Sequence, residues 1–73
     1  MLLLPQPADI GMLYDSRCRI RIEGEWRSGR ISCADRATLE VVVTLDDSGD
    51  NIECNPYDAT NDEFRLVSLA RSR

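Results

Sequence analysis

The segment from Gly24 to Gly49 constrains the fold of this 73-residue chain more than any other. It contains two predicted β-strands, Trp26–Cys33 and Leu39–Leu45, followed by turn-forming residues at positions 46–51. Leu39–Leu45 is apolar at every second position and rich in β-branched residues, which is typical of a pleated sheet. Gly29 interrupts the first strand and indicates a bulge or a sharp bend of the kind found at barrel corners. The segment therefore predicts a β-hairpin around which further strands close a small barrel.

Three more segments complete the predicted strands. Cys18–Ile22 alternates strictly, Ile52–Cys54 is a short strand, and Phe64–Leu69 is the last one. Residues 55–62 contain proline and Asx residues and are predicted as a loop, with room for one 3₁₀ turn. Five short strands without a convincing helix predict an all-β fold, a small five-stranded antiparallel barrel, because closure of the sheet removes exposed edges.

The predicted domain limits follow from these strands. Residues 1–12 are predicted as a flexible or loosely docked segment, residues 13–69 as the barrel and residues 70–73 as a frayed end. Ile31 and Cys33 are predicted to face inward. The initial apolar run stops at Pro5, so neither a signal peptide nor a membrane span is expected.

Composition excludes several classes of protein. The chain has three cysteines and no histidine, which disfavours both a zinc site and a disulfide framework. Each cysteine falls in a predicted strand, so we interpret them as buried thiols and expect an intracellular protein. Without histidine, lysine or a phosphate-binding glycine loop, we expect no enzyme activity, no cofactor and no metal.

Charge is distributed unevenly along the chain, whose net charge is −4. Residues 14–36 hold six arginines and four acids, whereas residues 37–63 hold eight acids and no base. The acidic half is expected to attract basic partners, and the overall acidity disfavours nucleic acid. The arginines at positions 17, 19 and 21 are interpreted as a solvated face, with a basic stripe for nucleic acid as the alternative.

Two short motifs carry a resemblance to a known family. Gly-x-Trp-x-x-Gly-x-Ile runs from Gly24 to Ile31, and Val-x-Leu-x-Asp-Ser-Gly runs from Val43 to Gly49. Together they resemble the Tudor domain of the SH3-like barrel superfamily, over roughly residues 13–69. The resemblance implies a monomeric interaction module that binds Lys- or Arg-containing peptides such as histone tails. It also implies a chromatin or RNA-processing context, and the nucleus rather than the cytoplasm.

The resemblance also indicates a site. Tudor domains that bind methylated Lys or Arg use an aromatic cage, because a methylated cation is drawn to π faces. Here Leu45 and Ser48 stand where rings are expected, and Trp26 is the one cage wall in the motif. The predicted ligand-binding residues are Trp26, Leu45, Asp46, Asp47, Ser48, Asp50, Glu53 and Tyr57. Asp58, Asp62 and Glu63 would extend the acidic part, for which a solvated turn is the alternative; Trp26 could instead pack over the barrel end.

A second resemblance points to RNA. The spacing of Gly24, Gly29 and Asp35 is similar to the first motif of Sm proteins, but the asparagine expected near Leu39 and the later Arg-Gly pair are absent. The alternatives are thus a nucleic-acid-binding barrel using the arginines at positions 17, 19, 21, 27 and 30, or a scaffold that pairs through a barrel edge.

Overall fold

The computed structural model of the chain describes residues 3–58 and 63–70. They form a 3₁₀ helix, η1 (Pro7–Leu13), and five strands: β1 (Arg17–Ile22), β2 (Glu25–Ala34), β3 (Val41–Leu45), β4 (Asn51–Cys54) and β5 (Phe64–Ser68). All pairings are antiparallel, and the strands lie in the order β4-β3-β2-β1-β5. The predicted all-β fold with five antiparallel strands is confirmed. Residues 59–62 of the predicted loop and residues 71–73 of the predicted frayed end lie outside the described residues.

The β1–β2 hairpin has the turn that the sequence predicts. Glu23 and Gly24 form its two-residue loop with φ of 51° and 83°, and Ile22 pairs with Glu25. Positive φ at both loop residues matches the right-handed twist of the flanking strands. The alternation of β1 then buries Cys18 and points its arginines outward.

β2 contains an irregularity that changes the orientation of its last residues. Ile31 pairs with Val43 and Cys33 with Val42, so Ser32 is an extra residue in β2. This bulge reverses the alternation, and Cys33 is exposed. The prediction that Cys33 faces inward is therefore wrong.

Gly29 is not part of this bulge, contrary to the sequence-based prediction. It pairs with Leu45 in regular register, three residues before the irregularity. A Cβ at this position would lie 2.6 Å from Val43 Cγ1 and 2.8 Å from the carbonyl oxygen of Thr44. Gly29 thus permits a close approach of β2 and β3. Close approach of another backbone is, besides a bulge or bend, a common reason for glycine inside a strand.

β3 begins two residues later than predicted. Leu39 has φ of 65° and donates its N–H to the carbonyl oxygen of Asp35 over 2.8 Å. The Asp35 carboxylate also accepts the N–H of Ala37 at 2.8 Å. These bonds hold residues 35–39 in a compact turn, so the ladder with β2 extends from Val41.

The amino-terminal segment contributes to the core, which corrects the expectation of a loosely docked segment for residues 3–12; residues 1 and 2 lie outside the described residues. Pro7 presets φ for the start of η1. Ile10 and Leu13 are three residues apart and therefore share one face of a 3₁₀ helix. Their exposed fractions are 1% and 0%. The helix crosses the boundary predicted at residue 13, and it is an element that the sequence reading missed.

The core lies inside the curved sheet and under η1. Its buried apolar residues come from η1, β1, β2, β3 and β5: Ile10, Leu13, Cys18, Ile20, Ile31, Val41, Val43, Leu45, Phe64 and Leu66. Ile52 and Cys54 of β4 are half-buried against it. β4 and β5 are the two edges of the sheet. Among the described residues, no helix is long and apolar enough to cross a membrane.

Candidate functional site

Leu45 cannot contact a ligand from its native position. The alternation of β3 turns it inward beside Val41 and Val43, and 2% of it is exposed. Leu45 is therefore a core residue and not the ligand-binding residue that the sequence predicted.

Asp46 and Asp47 are engaged by arginines of the same chain. Asp46 forms an ion pair with Arg17. Asp47 Oδ1 lies 2.8 Å from Arg27 Nη2, and its Oδ2 accepts a hydrogen bond from Arg27 Nε at 3.2 Å. The hydrogen bond from Arg27 lowers the pKa of Asp47, and the same contact raises the pKa of Arg27. A basic peptide would have to displace these two guanidinium groups.

Ser48 and Asp50 belong to the same β3–β4 turn. Ser48 Oγ accepts the Asp50 N–H at 3.2 Å, and the Gly49 N–H donates to the Leu45 carbonyl oxygen over 2.9 Å. Gly49 has φ of 77°, a conformation that favours glycine. These residues thus form a hydrogen-bonded exposed turn, in which the Asp50 carboxylate makes no ion pair among the described residues.

Trp26 lies on the outer face of β2, opposite Arg21 of β1. It is half-buried, and the guanidinium carbon of Arg65 lies 4.4 Å from its ring centroid. This distance is typical of a cation–π contact. One ring face thus carries a cation of the same chain.

Tyr57 fixes the amino-terminal segment. Its hydroxyl donates a hydrogen bond to the carbonyl oxygen of Pro5 at 3.0 Å. Burial, with a smaller effect of Asp9, raises the pKa of Tyr57. Its N–H donates to Asn55 Oδ1 at 2.9 Å. Seven of the eight predicted residues are therefore distributed over the β3–β4 turn, the core, the outer face of β2 and the contact with Pro5.

Glu53 belongs to a different feature, a cavity of about 360 Å³ between β4 and the β1–β5 pair. Its apolar lining consists of Ile20, Ile22, Ile52, Cys54 and Phe64. Its polar lining consists of Arg21, Glu53, Asn55, Asp58 and Glu63. The volume is at the lower end of the range of about 300–1,000 Å³ that ligand pockets occupy.

The polar lining of this cavity is acidic and open to solvent. Glu53, Asp58 and Glu63 are exposed, and none of them forms an ion pair among the described residues. Arg21 is the one base among the described residues of the lining. Two buried residues, Ile20 and Phe64, contribute to the apolar side. The cavity combines an apolar surface with carboxylates that can accept hydrogen bonds.

The carboxylates of this cavity were predicted from the sequence as binding residues, whereas its apolar lining was not. Asp58 and Glu63 were predicted to extend the acidic part of the binding site, and Asp62 lies outside the described residues. Ile22 and Ile52 read as ordinary inward residues of their strands. The strand order places β4 and β5 at the two edges of the sheet, and the cavity lies between β4 and the β1–β5 pair.

Two of the three cysteines, Cys18 and Cys54, are poorly reactive thiols. Burial, and to a lesser extent Cys54, raises the pKa of Cys18 to about 12. Burial and then Glu40 raise the pKa of Cys54 to about 11. Both thiols stay protonated at neutral pH, and a protonated thiol is a poor nucleophile. Within residues 3–58 and 63–70, no cluster of His, Cys, Asp or Glu could hold a metal ion.

Comparison of the chain with protein-family models, with curated proteins and with solved structures found no match. The Tudor resemblance thus stays a prediction from two short motifs, and the cavity is a candidate site formed by the described residues.

Proposed function

We propose that this chain is a non-enzymatic protein-interaction module that binds a Lys or Arg side chain of a partner peptide in the cavity between β4 and the β1–β5 pair. The observation that carries the proposal is the combination of an apolar lining with three carboxylates that make no ion pair in the described chain. The proposed site is the cavity and not the β3–β4 turn predicted from the sequence, because Asp46 and Asp47 of that turn already bind arginines of the same chain.

A long basic side chain suits both parts of this cavity. Lys and Arg pack their aliphatic stems on apolar surface and keep the charged end near water. Ile20, Ile52 and Phe64 offer the apolar surface, while the exposed carboxylates offer charge-assisted hydrogen bonds. The cavity, at about 360 Å³, is large enough for one long side chain of a partner peptide.

Methylation is expected to give no gain in affinity at this site. A methylated cation is held by several aromatic faces, and Phe64 is the one aromatic residue that the described part of the chain contributes to the lining. Each added methyl group would also remove an N–H donor from the carboxylates. The Tudor resemblance suggests a histone tail as the partner, and hence a nuclear chromatin factor, with the unmethylated tail as the preferred form.

The test is an amide chemical-shift titration with Arg- and Lys-containing histone-tail peptides, unmethylated and methylated. We expect shifts at Ile52–Cys54 and at Phe64, and an affinity that falls with added salt. Asp58→Asn should weaken binding about two- to fivefold, the range of exposed ion pairs. Asp50→Asn removes the same charge from the β3–β4 turn and should leave the affinity unchanged.

Two outcomes would contradict the proposal. Shifts confined to Trp26 and Ser48 that require methylation would restore the cage at the turn and remove the cavity as the site. An equal loss of affinity in the Asp50→Asn and Asp58→Asn variants would show that the peptide responds to net charge alone.

A further inference from the structure

β4 is an edge strand, and its open side borders the cavity. It lies at one end of the sheet, and β3 is its one neighbour among the described strands. Residues 52–55 all contribute to the cavity lining. The proposed function uses side chains of this lining, whereas the backbone groups along the same edge have no role in it.

The β3–β4 ladder determines which backbone groups of β4 face the open side. The Leu45 N–H donates to the Asp50 carbonyl oxygen at 2.9 Å. Hydrogen-bonded and non-hydrogen-bonded pairs alternate along an antiparallel ladder. Because the register continues through β4 without irregularity, Ile52 and Cys54 direct their backbone groups toward β3. The N–H and C=O of Glu53 therefore point away from β3, to the open side.

Asn51 and Glu53 both present their backbone to this open side. Within residues 3–58 and 63–70, neither their N–H nor their C=O groups have a hydrogen-bond partner. A row of unpaired backbone groups at a sheet edge is a template on which another chain can pair as a strand.

β5, the other edge, is less regular. Its register with β1 shifts between Arg17 and Cys18, which leaves an extra residue in β5 between Leu66 and Ser68. A bulge of this kind bends and twists an edge and so disfavours further pairing. β4 is therefore the edge whose geometry suits an added strand.

We propose that the partner peptide is extended and adds to β4 as an antiparallel strand, with its Lys or Arg side chain in the cavity. The inference rests on the proposed function for the basic side chain and adds recognition of the peptide backbone. The peptide residue opposite Glu53 exchanges two hydrogen bonds with it and shares its outer face. The residues on either side face inward, opposite Ile52 and Cys54, which are half-buried beside the cavity. In strand addition, main-chain hydrogen bonds supply affinity and pockets for alternate side chains supply specificity.

The charges along this edge favour a basic peptide over a second copy of the chain. Glu53, Asp58 and Glu63 line the cavity, and none of them forms an ion pair among the described residues. Opposite charges across neighbouring strands stabilise pairing, whereas like charges directly opposite destabilise it. A second β4 would bring a second set of carboxylates to the same edge, and a lysine or arginine brings their counter-charge.

The experiment separates backbone recognition from side-chain recognition. The probe is an acetylated and amidated peptide of sequence Thr-Val-Thr-Lys-Thr-Val-Thr, whose lysine and valines share one face when the chain is extended. One variant peptide is N-methylated on the two threonines next to the lysine, whose N–H groups would pair with β4. The matched control is N-methylated on the lysine and the following valine, whose N–H groups would point away from β4. A fourth peptide carries norleucine in place of lysine.

We expect the first N-methylated peptide to bind about threefold or more weakly than the parent, and the control to bind like the parent. The norleucine peptide should also bind more weakly, because it lacks the charge. Amide shifts give these affinities, and hydrogen exchange reports the pairing. The amides of Ile52 and Cys54 should exchange slowly in the free protein, whereas those of Asn51 and Glu53 should be slowed only by the parent peptide.

Glu53→Pro tests the same hydrogen bonds from the side of the protein. Proline removes the N–H on the open side and leaves the ladder with β3, since it is tolerated in an edge strand where the N–H faces away from the sheet. Glu53→Gln is the matched control, because it removes the same carboxylate and keeps the N–H. Glu53→Pro should weaken binding about threefold or more beyond Glu53→Gln. The N-methylated peptides test these bonds on the wild-type chain if the proline variant does not fold.

The outcomes distinguish this inference from the proposed function. Equal affinity of the two N-methylated peptides, with unchanged exchange at Glu53, would refute strand addition, and weaker binding of the norleucine peptide would still support the proposed function. Undiminished binding of the norleucine peptide with slowed exchange at Glu53 would refute the proposed function and retain the strand pairing. Slow exchange at Glu53 without peptide, together with a dimer in sedimentation, would assign the edge to a second copy and overturn the inference.

Discussion

Substitution of Gly29 by alanine tests the close packing of β2 on β3. The new Cβ would lie 2.6 Å from Val43 Cγ1 and 2.8 Å from the Thr44 carbonyl oxygen. Carbon atoms in contact prefer about 3.5–4.0 Å, so the strands would have to move apart by roughly 1 Å. Val43 is fully buried and Thr44 contributes backbone, so neither group can simply rotate away. Overpacking of this kind costs about 1–3 kcal/mol.

Gly11→Ala is the matched control. An added Cβ at Gly11 meets nothing within 4 Å, and its φ lies outside the left-handed region. Both changes reduce the entropy of the unfolded chain, which stabilises the fold by about 0.4–1 kcal/mol. The difference between the two variants therefore isolates the steric term, and each 1 kcal/mol corresponds to about 4–8 °C in a domain of this size.

The assay is urea unfolding followed by Trp26 fluorescence and circular dichroism. We expect Gly29→Ala to unfold at lower urea than the wild-type chain, and Gly11→Ala at the same or higher urea. The slopes of the transitions should agree, because the surface exposed on unfolding is unchanged. If both variants unfold at the same midpoint, the close approach of β2 to β3 is refuted.

Three further changes test other parts of the structure. Ile10→Ala should lower the free energy of unfolding by about 2–4 kcal/mol, because Ile10 is 1% exposed; denaturant titration would detect this, and an unchanged stability would place η1 outside the core. In NMR titrations Asp47 should ionise below its ordinary value of 3.8, and Arg27→Gln should move its pKa back toward that value. Since the folded pKa of Asp47 is the lower one, its stabilising contribution is present above the ordinary value and is lost as the pH falls through the folded pKa; a pKa unaffected by Arg27→Gln would contradict this. Cys33 is exposed and should react with iodoacetamide before Cys18, whose pKa is raised; mass spectrometry of brief labelling would show the order, and a faster Cys18 would contradict its burial.

The strands were predictable because their alternation is local information. β1 and β3 bury every second residue, and that pattern is visible in the sequence. The bulge was not predictable in the same way. Gly29 carries the usual signal of a bulge, whereas the extra residue is Ser32, whose hydroxyl donates to the Val42 carbonyl oxygen at 3.3 Å and accepts a hydrogen bond from the Thr44 hydroxyl. Which residue of β2 becomes the extra one depends on its register with β3, and a local sequence pattern contains no information about that register.

The amino-terminal helix was not predicted from the sequence, for a related reason. A 3₁₀ helix of seven residues has too few turns to show a clear apolar period. The residues that follow the helix join it to β2: the Asp15 N–H donates to the Ile31 carbonyl oxygen at 2.7 Å, and the Ser16 carbonyl oxygen accepts the Ile31 N–H at 2.9 Å. Ser16 Oγ also accepts the Ala70 N–H at 3.1 Å. These bonds join both ends of the described chain to the sheet.

The candidate site differs from the predicted one because folding pairs acidic and basic side chains that are far apart in the sequence. Counting charges along the sequence cannot show which of them are paired. Asp46 and Asp47 meet Arg17 and Arg27, which are 29 and 20 residues away in the chain. The basic segment and the acidic segment thus neutralise each other where β1 and β2 lie beside the β3–β4 turn. The charges that remain without an ion pair in the described chain are separated by the strand order: carboxylates such as Asp58 line the cavity at one sheet edge, whereas Arg19 projects from the outer face of β1. The register of the sheet, not the net charge of −4, therefore decides which charged groups a partner would meet.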